Sequence, residues 1–241
     1  MEIITSLDNK HIKNLSKLLI KKYRDQEDMF LVEGEHLVEE SFKSGNLIEF
    51  IKTEDYERDF DVPTTIVTYE VLKKLSSSVT PQKVIGVVKK LEEKKYGNKI
   101  LILDNLQDPG NLGTIIRSSV AFNVDTIVLS ENCVDLYNDK VIRSSEGMLF
   151  HINVIKRNID EFIDEIHKEG YKVFGTKVTE GENVKKVEVP TKVAIIMGNE
   201  GAGVRSEILD KCDKYLYISM NKVCESLNVG VATSIILYEL F

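Results

Sequence analysis

Continuous apolar runs constrain the second half of this chain more than any other feature. The runs ILIL at 100–103 and VAIIM at 193–197 contain no polar residue, so both faces of these strands must be covered. Segments with helical character, such as NLGTIIRSSVAF at 111–122, alternate with such runs to the end of the chain. This alternation predicts an α/β fold with a parallel sheet and helices on both faces over residues 99–241.

The first part of the chain is organised differently. Short strand patterns (MFLVEG, LIEFIKT, TTIVTY, KVIGVVKKL) alternate with two helical patterns (EHLVEESFKSG, EVLKKLSSS). They predict a small α/β domain over residues 1–91. The charged stretch EEKKYGN, residues 92–98, is predicted to be a linker to the second domain, residues 99–241.

The charge of the chain is unevenly distributed. A formal net charge of -7 over 241 residues argues, taken alone, against a nucleic-acid partner. From Lys10 to Arg24, however, the chain carries six basic residues and no acidic one. Five of them recur at helical steps and predict one helix with a basic face: Lys10, Lys13, Lys17, Lys21 and Arg24. Such a face suits contact with a phosphate backbone, and a solvated helix flank is the alternative.

The motifs of several common enzyme classes are missing from the sequence. MGNEGAG spaces its glycines as GxxGxG rather than GxGxxG, and neither a phosphate-binding GxxxxGK[ST] loop nor a GxSxG elbow is present. The four histidines are scattered and the three cysteines form no CxxC pair, so no metal site is predicted. No apolar run has the length of a membrane span, and we expect a cytoplasmic protein without a membrane partner.

Three segments place glycine or small polar residues directly after apolar strands. They are DPGNLGTIIR at 108–117, MGNEGAGV at 197–204 and the stretch 218–239, which includes SLNVGVATSIILYEL. Open α/β sheets bind their ligands at the carboxyl ends of strands. The three segments are therefore predicted to meet at a ligand site.

Together the three segments resemble the motifs of the SpoU (TrmH-type) branch of the SPOUT RNA methyltransferases. DPGNLGTIIRSS resembles the first motif, MGNEGAGV the second and ISMNKVCESLNVGVATSIILYE the third, in the family's order. KKYRDQEDMFLVEGEHLVEES and VTPQKVIGVV are similar to a ribosomal-protein-like α/β domain that precedes the catalytic domain in many ribosomal-RNA members. The resemblance implies transfer of a methyl group from S-adenosylmethionine to a ribose 2′-hydroxyl of RNA, most specifically of 23S-type ribosomal RNA.

The resemblance also implies features that no local pattern shows. Family members carry a trefoil knot in the parallel-sheet catalytic domain, and similar members are homodimers whose active site takes groups from both subunits. The cofactor site is implied to be lined by Gly198, Ile218 and Leu227, with Met220 and Gly203 as further members of the same wall.

Arg117 matches the arginine that the family places at the methyl-accepting hydroxyl. A guanidinium can donate two parallel hydrogen bonds to a phosphate, but its pKa, above about 12, argues against a role as the general base. We expect Arg117 to orient the substrate. The other polar motif positions expected to hold this arrangement are Asn111, Glu200, Ser226 and Asn228. Arg143 resembles a position on the RNA side of the site, accompanied by Ser145 and Gly147.

Two departures from the family pattern lie beside the expected cofactor site. Ser219 stands where the family usually has proline, and Lys222 where it has glycine. They leave open a second reading, an RNA-binding protein that has the fold without the turnover. A third reading is a transfer-RNA 2′-O-methyltransferase, which the N-terminal domain and its basic segment disfavour.

Overall fold

The computed structural model describes residues 3–241, which form two compact units. The first unit comprises the chain up to Glu92 together with Asp135–Phe150, and the second comprises Glu93–Val134 and His151–Phe241. Within residues 3–241, every helix is too short or too polar to cross a lipid bilayer.

The N-terminal part of the first unit is a four-stranded sheet with helices packed on it. Its elements are α1 (Lys10–Ser16), a 3₁₀ helix (Lys17–Leu19), α2 (Lys21–Glu27), β1 (Met29–Glu33), α3 (Glu35–Lys43), β2 (Leu47–Thr53), β3 (Thr64–Val67), α4 (Tyr69–Lys74) and β4 (Val84–Lys89). The strand order is β1-β4-β2-β3, with β4 antiparallel to both of its neighbours and β3 parallel to β2. The four predicted strands of this part are confirmed.

The single basic helix predicted over Lys10–Arg24 was wrong. α1 ends at Ser16, and Ile20 is extended before α2 begins. In a continuous helix the Leu18 carbonyl would accept the amide four residues later. Here that carbonyl accepts a hydrogen bond from Arg24 Nη1 at 2.9 Å. The buried guanidinium thus takes the place of a helical hydrogen bond.

The remainder of the chain contains a seven-stranded parallel sheet. Its elements are β5 (Lys99–Leu103), α5 (Pro109–Ala121), β6 (Thr126–Leu129), α6 (Asp139–Ser144), a 3₁₀ helix (Met148–His151), β7 (Asn153–Lys156), α7 (Ile159–Lys168), β8 (Lys172–Thr176), β9 (Glu182–Asn183), a 3₁₀ helix (Val184–Lys186), β10 (Val193–Met197), α8 (Ser206–Leu209), β11 (Lys214–Tyr217) and α9 (Val229–Leu240). The strand order is β7-β6-β5-β10-β8-β11-β9, and all pairs are parallel. The predicted parallel α/β architecture is confirmed.

The helices that frame the ends of β5 and β11 begin at side chains that accept backbone hydrogen bonds. Asp108 Oδ1 accepts the Asn111 amide at 2.9 Å before α5, whose first position is Pro109. Asn228 Oδ1 accepts the amides of Gly230 and Val231 before α9. Both residues are N-caps, which fixes where each helix starts relative to the loop before it.

The segment Asp135–Phe150 belongs to the first unit although its flanking residues belong to the second. Asp135 Oδ2 lies 2.6 Å from Arg24 Nη2. The ring of Phe30 lies 4.7 Å from that of Tyr137 and 6.4 Å from that of Phe150, measured between centroids. The sequence analysis placed this whole segment within residues 99–241 and did not foresee this packing.

Removing residues up to Glu92 is expected to produce aggregation rather than an isolated catalytic domain. Val141, Ile142 and Leu149 are buried in the first unit, with 0%, 3% and 1% exposure, and the truncation removes the sheet of that unit. The apolar patch left behind favours association. Size-exclusion chromatography checks this, with a control in which the same truncation carries Val141→Thr, Ile142→Gln and Leu149→Gln and should recover solubility. A monodisperse unaltered truncation would contradict the expectation.

Candidate active site

The three motif segments follow the carboxyl ends of three strands of the same parallel sheet. β5 ends at Leu103, β10 ends at Met197 and β11 ends at Tyr217, and β10 lies next to β5 in the sheet. The Asn199 side chain donates to the Asn105 carbonyl at 2.9 Å, which ties the loop after β10 to the loop after β5.

Glu200 is the hydrogen-bond hub between the first two motifs. Its Oε1 accepts from the Asp108 amide at 3.0 Å and from Asn111 Nδ2 at 3.1 Å. Its Oε2 accepts from the Gln107 amide at 3.3 Å. Burial alone would raise the pKa of Glu200, but these hydrogen bonds outweigh it and hold the pKa below its usual value. The side chain is therefore a carboxylate at neutral pH and can only accept hydrogen bonds.

Asn111 extends this network to the third motif. Because its Nδ2 faces the Glu200 carboxylate, its Oδ1 faces Asn228 and accepts from Asn228 Nδ2 at 2.9 Å. Since an amide can donate only from nitrogen, the carboxylate fixes the orientation of both asparagine side chains. Three of the polar residues predicted for the site thus form one chain of hydrogen bonds: Glu200, Asn111 and Asn228.

An ion pair with a fully buried carboxylate lies below these loops. Asp104 follows β5 and is fully buried, and both of its carboxylate oxygens accept hydrogen bonds from Arg205. Arg205 Nε lies 2.9 Å from Oδ1 and 3.1 Å from Oδ2, and the Arg205 amide lies 3.1 Å from Oδ2. The pair joins the end of β5 to the residue that directly follows the second motif, so it supports the loop at 198–204.

A pocket opens beside the network, within the second unit. It encloses about 350 Å³, within the range of sites for small organic ligands. All five predicted cofactor residues line it, as do Glu200 and Ser226, which the sequence analysis assigned to catalysis: Gly198, Gly203, Ile218, Met220, Leu227, Glu200 and Ser226. Apolar walls from Leu216, Val229 and Ile236 complete the lining.

Gly198 lies where the loop after β10 folds back on itself. Asn199 and Gly203 exchange two backbone hydrogen bonds, at 2.9 and 3.0 Å. A Cβ atom on residue 198 would lie 2.0 Å from the backbone carbon of Gly203, closer than any side chain allows. Gly203 itself has φ +71°, a conformation that favours glycine. The glycines form a backbone wall, which together with the apolar side chains fits a nucleoside cofactor.

Arg117 is not part of this network. It lies exposed on α5, it does not line the pocket, and its side chain makes no hydrogen bond or ion pair with any residue in the range 3–241. Its guanidinium is consequently free to bind a group from outside the chain.

The residues predicted to contact RNA are all in the first unit, but their side chains differ in solvent exposure and in the partners they already have. Lys10, Lys13, Lys17 and Lys21 are exposed. Lys13 pairs with Asp8 at 2.7 Å, Lys17 donates to Asn14 at 3.0 Å, and Lys21 pairs with Asp25. Arg24 differs because it is only 7% exposed and its guanidinium is engaged by Asp135 and the Leu18 carbonyl. The structure does not bring Arg24 to an RNA-accessible surface.

Arg143 is exposed on α6, and its guanidinium has partners within the first unit. Its Nη1 lies 2.8 Å from Asp139 Oδ2 and 3.1 Å from Ser77 Oγ. Ser145, which was predicted to accompany it, is buried and donates to the Ile142 carbonyl. Gly147 has φ +77° and is packed against Glu40.

Sequence reasoning missed the ion pair of Asp104 and Arg205 and the role of Gln107. The sequence did hold a signal for the ion pair: Asp104 directly follows the apolar strand β5, and the oppositely charged Arg205 directly follows the second motif. Gln107 contributes through its backbone amide, which no residue type reveals. In residues 3–241, no group of three or more histidine, cysteine or acidic side chains is arranged to hold a metal ion.

Two family profiles match this chain. Residues 98–238 match the profile of the SpoU rRNA methylase family, which is more than half of the chain. The chain belongs to the SpoU rRNA methylase family. Residues 9–86 match a second profile, the MRM3-like substrate binding domain. The resemblance inferred from the three motifs is confirmed.

Individual SpoU relatives span the whole chain. The 23S rRNA (guanosine(2553)-2′-O)-methyltransferase RlmP of Bacillus subtilis (strain 168) is 41% identical, over 100% of this chain and 99% of its own length. An AdoMet-bound rRNA methyltransferase from Sinorhizobium meliloti superposes with a TM-score of 0.87 at 26% identity, covering 99% of this chain and 96% of that one. A solved RNA 2′-O ribose methyltransferase gives a TM-score of 0.85 at 30% identity, covering 99% and 97%.

Proposed function

We propose that this protein transfers the methyl group of S-adenosylmethionine to a ribose 2′-hydroxyl of 23S ribosomal RNA. One observation carries the assignment to this particular chain. The hydrogen-bonded chain from Glu200 through Asn111 to Asn228 joins all three family motifs beside a pocket lined by every predicted cofactor residue. Ser219 and Lys222 do not interrupt that chain.

The residues of the site have separate roles in the in-line transfer of the methyl group. S-adenosylmethionine, when bound, supplies a methyl group on a positively charged sulfur. The glycine wall and the apolar side chains hold the nucleoside part, and the Glu200 network keeps the three loops in one arrangement. Arg117 binds the target nucleotide and orients its 2′-hydroxyl. Positioning of two reactants in this way accounts for a large share of enzymatic rate enhancement.

The target is proposed from the relatives. RlmP of B. subtilis is named for the 2′-O-methylation of a guanosine in 23S rRNA, and it matches this chain from end to end. We propose a guanosine of 23S rRNA as the target here as well. A cytoplasmic location follows from that substrate, and the trefoil knot of the family remains a prediction for this chain.

A homodimer is proposed because Arg117 has no role within its own chain. α5 and α9 pack together, with Ser118 Oγ 2.6 Å from Ser234 Oγ. Their outer surface includes Val231 and Tyr238, which are 48% and 71% exposed. Covering this apolar surface with the same surface of a second copy would bring the Arg117 of one protomer to the pocket of its partner.

The first unit, comprising residues up to Glu92 and Asp135–Phe150, is proposed to bind the RNA substrate. The exposed basic residues that the sequence analysis predicted for this role are Lys10, Lys13, Lys17, Lys21 and Arg143. Changing the four lysines to glutamine is expected to weaken RNA binding and to reduce the dependence of log Kd on log salt by roughly 0.7 to 0.9 for each lost phosphate contact. Filter binding at several salt concentrations measures both quantities.

Arg24→Gln is the contrasting variant for this measurement. Because Arg24 is buried in an ion pair, its replacement should lower the stability of the first unit and leave the salt slope unchanged. A lysine variant whose salt slope equals that of the unaltered protein would contradict the proposed RNA surface.

Transfer of a labelled methyl group to ribosomal RNA tests the function as a whole. The substrate is 23S rRNA transcribed in vitro, which carries no modification, and transfer RNA is the competitor. Incorporation into a single 23S nucleotide is expected. Binding without incorporation into any RNA would favour the non-catalytic RNA-binding protein, and preferential labelling of transfer RNA would favour the transfer-RNA enzyme.

A further inference from the structure

Charge is unevenly distributed around the pocket of the second unit. Among the described residues that line it, Glu200 is the one carboxylate and Lys177 the one cationic side chain. Glu200 is bonded toward the loop after β5, whereas Lys177 directly follows β8. Because β5 and β8 flank β10 on opposite sides, the two charges belong to opposite sides of the pocket.

Lys177 lines the pocket, and the contacts of its ammonium group are weak. Its Nζ lies 4.1 Å from the centroid of the Tyr215 ring and 2.7 Å from Glu180 Oε2. The Glu180 side chain is 71% exposed, and an ion pair in contact with solvent contributes little to stability. A second carboxylate brought to the same place can therefore replace Glu180. The hydrogen bond that Lys177 donates to Glu180 raises the pKa of Lys177, so its amine is charged at neutral pH.

The other candidate for binding an anion at this pocket is the N-terminus of α9, because Leu227 and Val229 belong to the lining. The Gly230 and Val231 amides at that terminus already donate to Asn228 Oδ1, at 2.9 and 3.3 Å. On the β5 side the Glu200 carboxylate repels a second negative charge. Lys177 is left as the available cationic group.

We propose that Lys177 binds the α-carboxylate of the methionine part of S-adenosylmethionine, in exchange for Glu180. This inference rests on the proposed function, because it concerns the same cofactor. The carboxylate is the single negative group of the cofactor, whose amine and sulfonium are positive. With the carboxylate at Lys177, the sulfonium, which three carbons separate from the carboxyl group, is the positive group that lies toward Glu200. The two side chains thereby select one direction of the cofactor along the pocket.

Two ligands that differ in one group test the proposal. S-adenosylmethionine and decarboxylated S-adenosylmethionine are titrated into the whole protein by calorimetry, which needs no RNA and no turnover. Lys177→Met should weaken binding of S-adenosylmethionine roughly tenfold or more, the range for a lost hydrogen bond to a charged group. Binding of the decarboxylated ligand should stay unchanged. Lys177→Arg should keep the preference for the carboxylate.

Glu180→Gln is the matched variant. It removes the competing carboxylate and should strengthen binding of S-adenosylmethionine without affecting the decarboxylated ligand, a result that a merely structural role of Lys177 would not give. Equal weakening of both ligands by Lys177→Met, or no weakening of either, would overturn the proposal. If the unaltered protein binds neither ligand, it is the proposed function that fails.

Discussion

Replacing Arg117 by alanine is expected to slow methyl transfer by about 100-fold or more while leaving the affinity for S-adenosylmethionine unchanged. The magnitude is that of removing one charge-stabilising donor from an active site. Cofactor binding is spared because Arg117 does not line the pocket, and folding is spared because its side chain makes no hydrogen bond within residues 3–241. Single-turnover kinetics and calorimetry on the same preparation measure the two quantities.

Arg157→Ala is the control for this variant. Arg157 lies in the same unit and its Nη1 is 2.8 Å from Glu93 Oε2 at the surface, away from the motif loops. Arg157→Ala should change neither the rate of methyl transfer nor the affinity for S-adenosylmethionine. An Arg117→Ala protein with an unaltered rate would remove the guanidinium from the mechanism.

Mixed dimers decide whether Arg117 acts on the pocket of its own chain or on that of its partner. Chains carrying Arg117→Ala are combined with chains carrying Glu200→Gln. If the site is shared, one of the two sites in each mixed dimer has an intact arginine and an intact pocket, and activity returns. If each site belongs to a single chain, both sites are damaged and the mixture stays inactive.

Arg205→Met is expected to destabilise the second unit by about 3 kcal/mol, the lower end of the range for removing one partner of a buried ion pair, because Arg205 itself is 37% exposed. Asp104 would remain fully buried with the Arg205 amide as its remaining donor within residues 3–241. Hydrogen exchange of the β5 and β10 amides measures this locally, since a chain with two units need not unfold in one step. The affinity for S-adenosylmethionine should fall as well, because the loop at 198–204 loses its support.

Asp104→Asn in the Arg205→Met background tests whether the buried carboxylate causes the loss of stability. Without the buried charge, the double variant should recover part of the lost stability, so the two effects should not add. A fully additive double variant would show that Arg205 acts through packing of its side chain instead.

The parts of the fold that were predictable are those set by local patterns. Apolar strands such as VAIIM and helical segments such as NLGTIIRSSVAF depend on neighbouring residues, and the structure confirms them. The residues that line the pocket were implied by the family resemblance, and the close backbone approach at Gly198 is the physical reason why a glycine stands at that motif position.

The features that were not predictable depend on partners far away in the chain. Arg24 recurs at helical steps with the basic residues before it, and its burial becomes apparent only with Asp135, 111 positions later. The helix pattern of Asp139–Ser144 is the same whichever unit it packs on. For Arg117, the sequence indicated a ligand-binding arginine, but a partner outside the chain leaves no pattern within it.

The packing of Asp135–Phe150 in the first unit also affects how the protein folds during synthesis. The chain leaves the ribosome from its N-terminus, yet the aromatic cluster around Phe30 includes Tyr137 and Phe150. The first unit therefore cannot close until well over half of the polypeptide has been synthesised. Contacts so distant in sequence slow folding and prolong the time during which apolar surface stays uncovered. For this protein, the apolar surface of the first unit stays uncovered while the chain is still being synthesised.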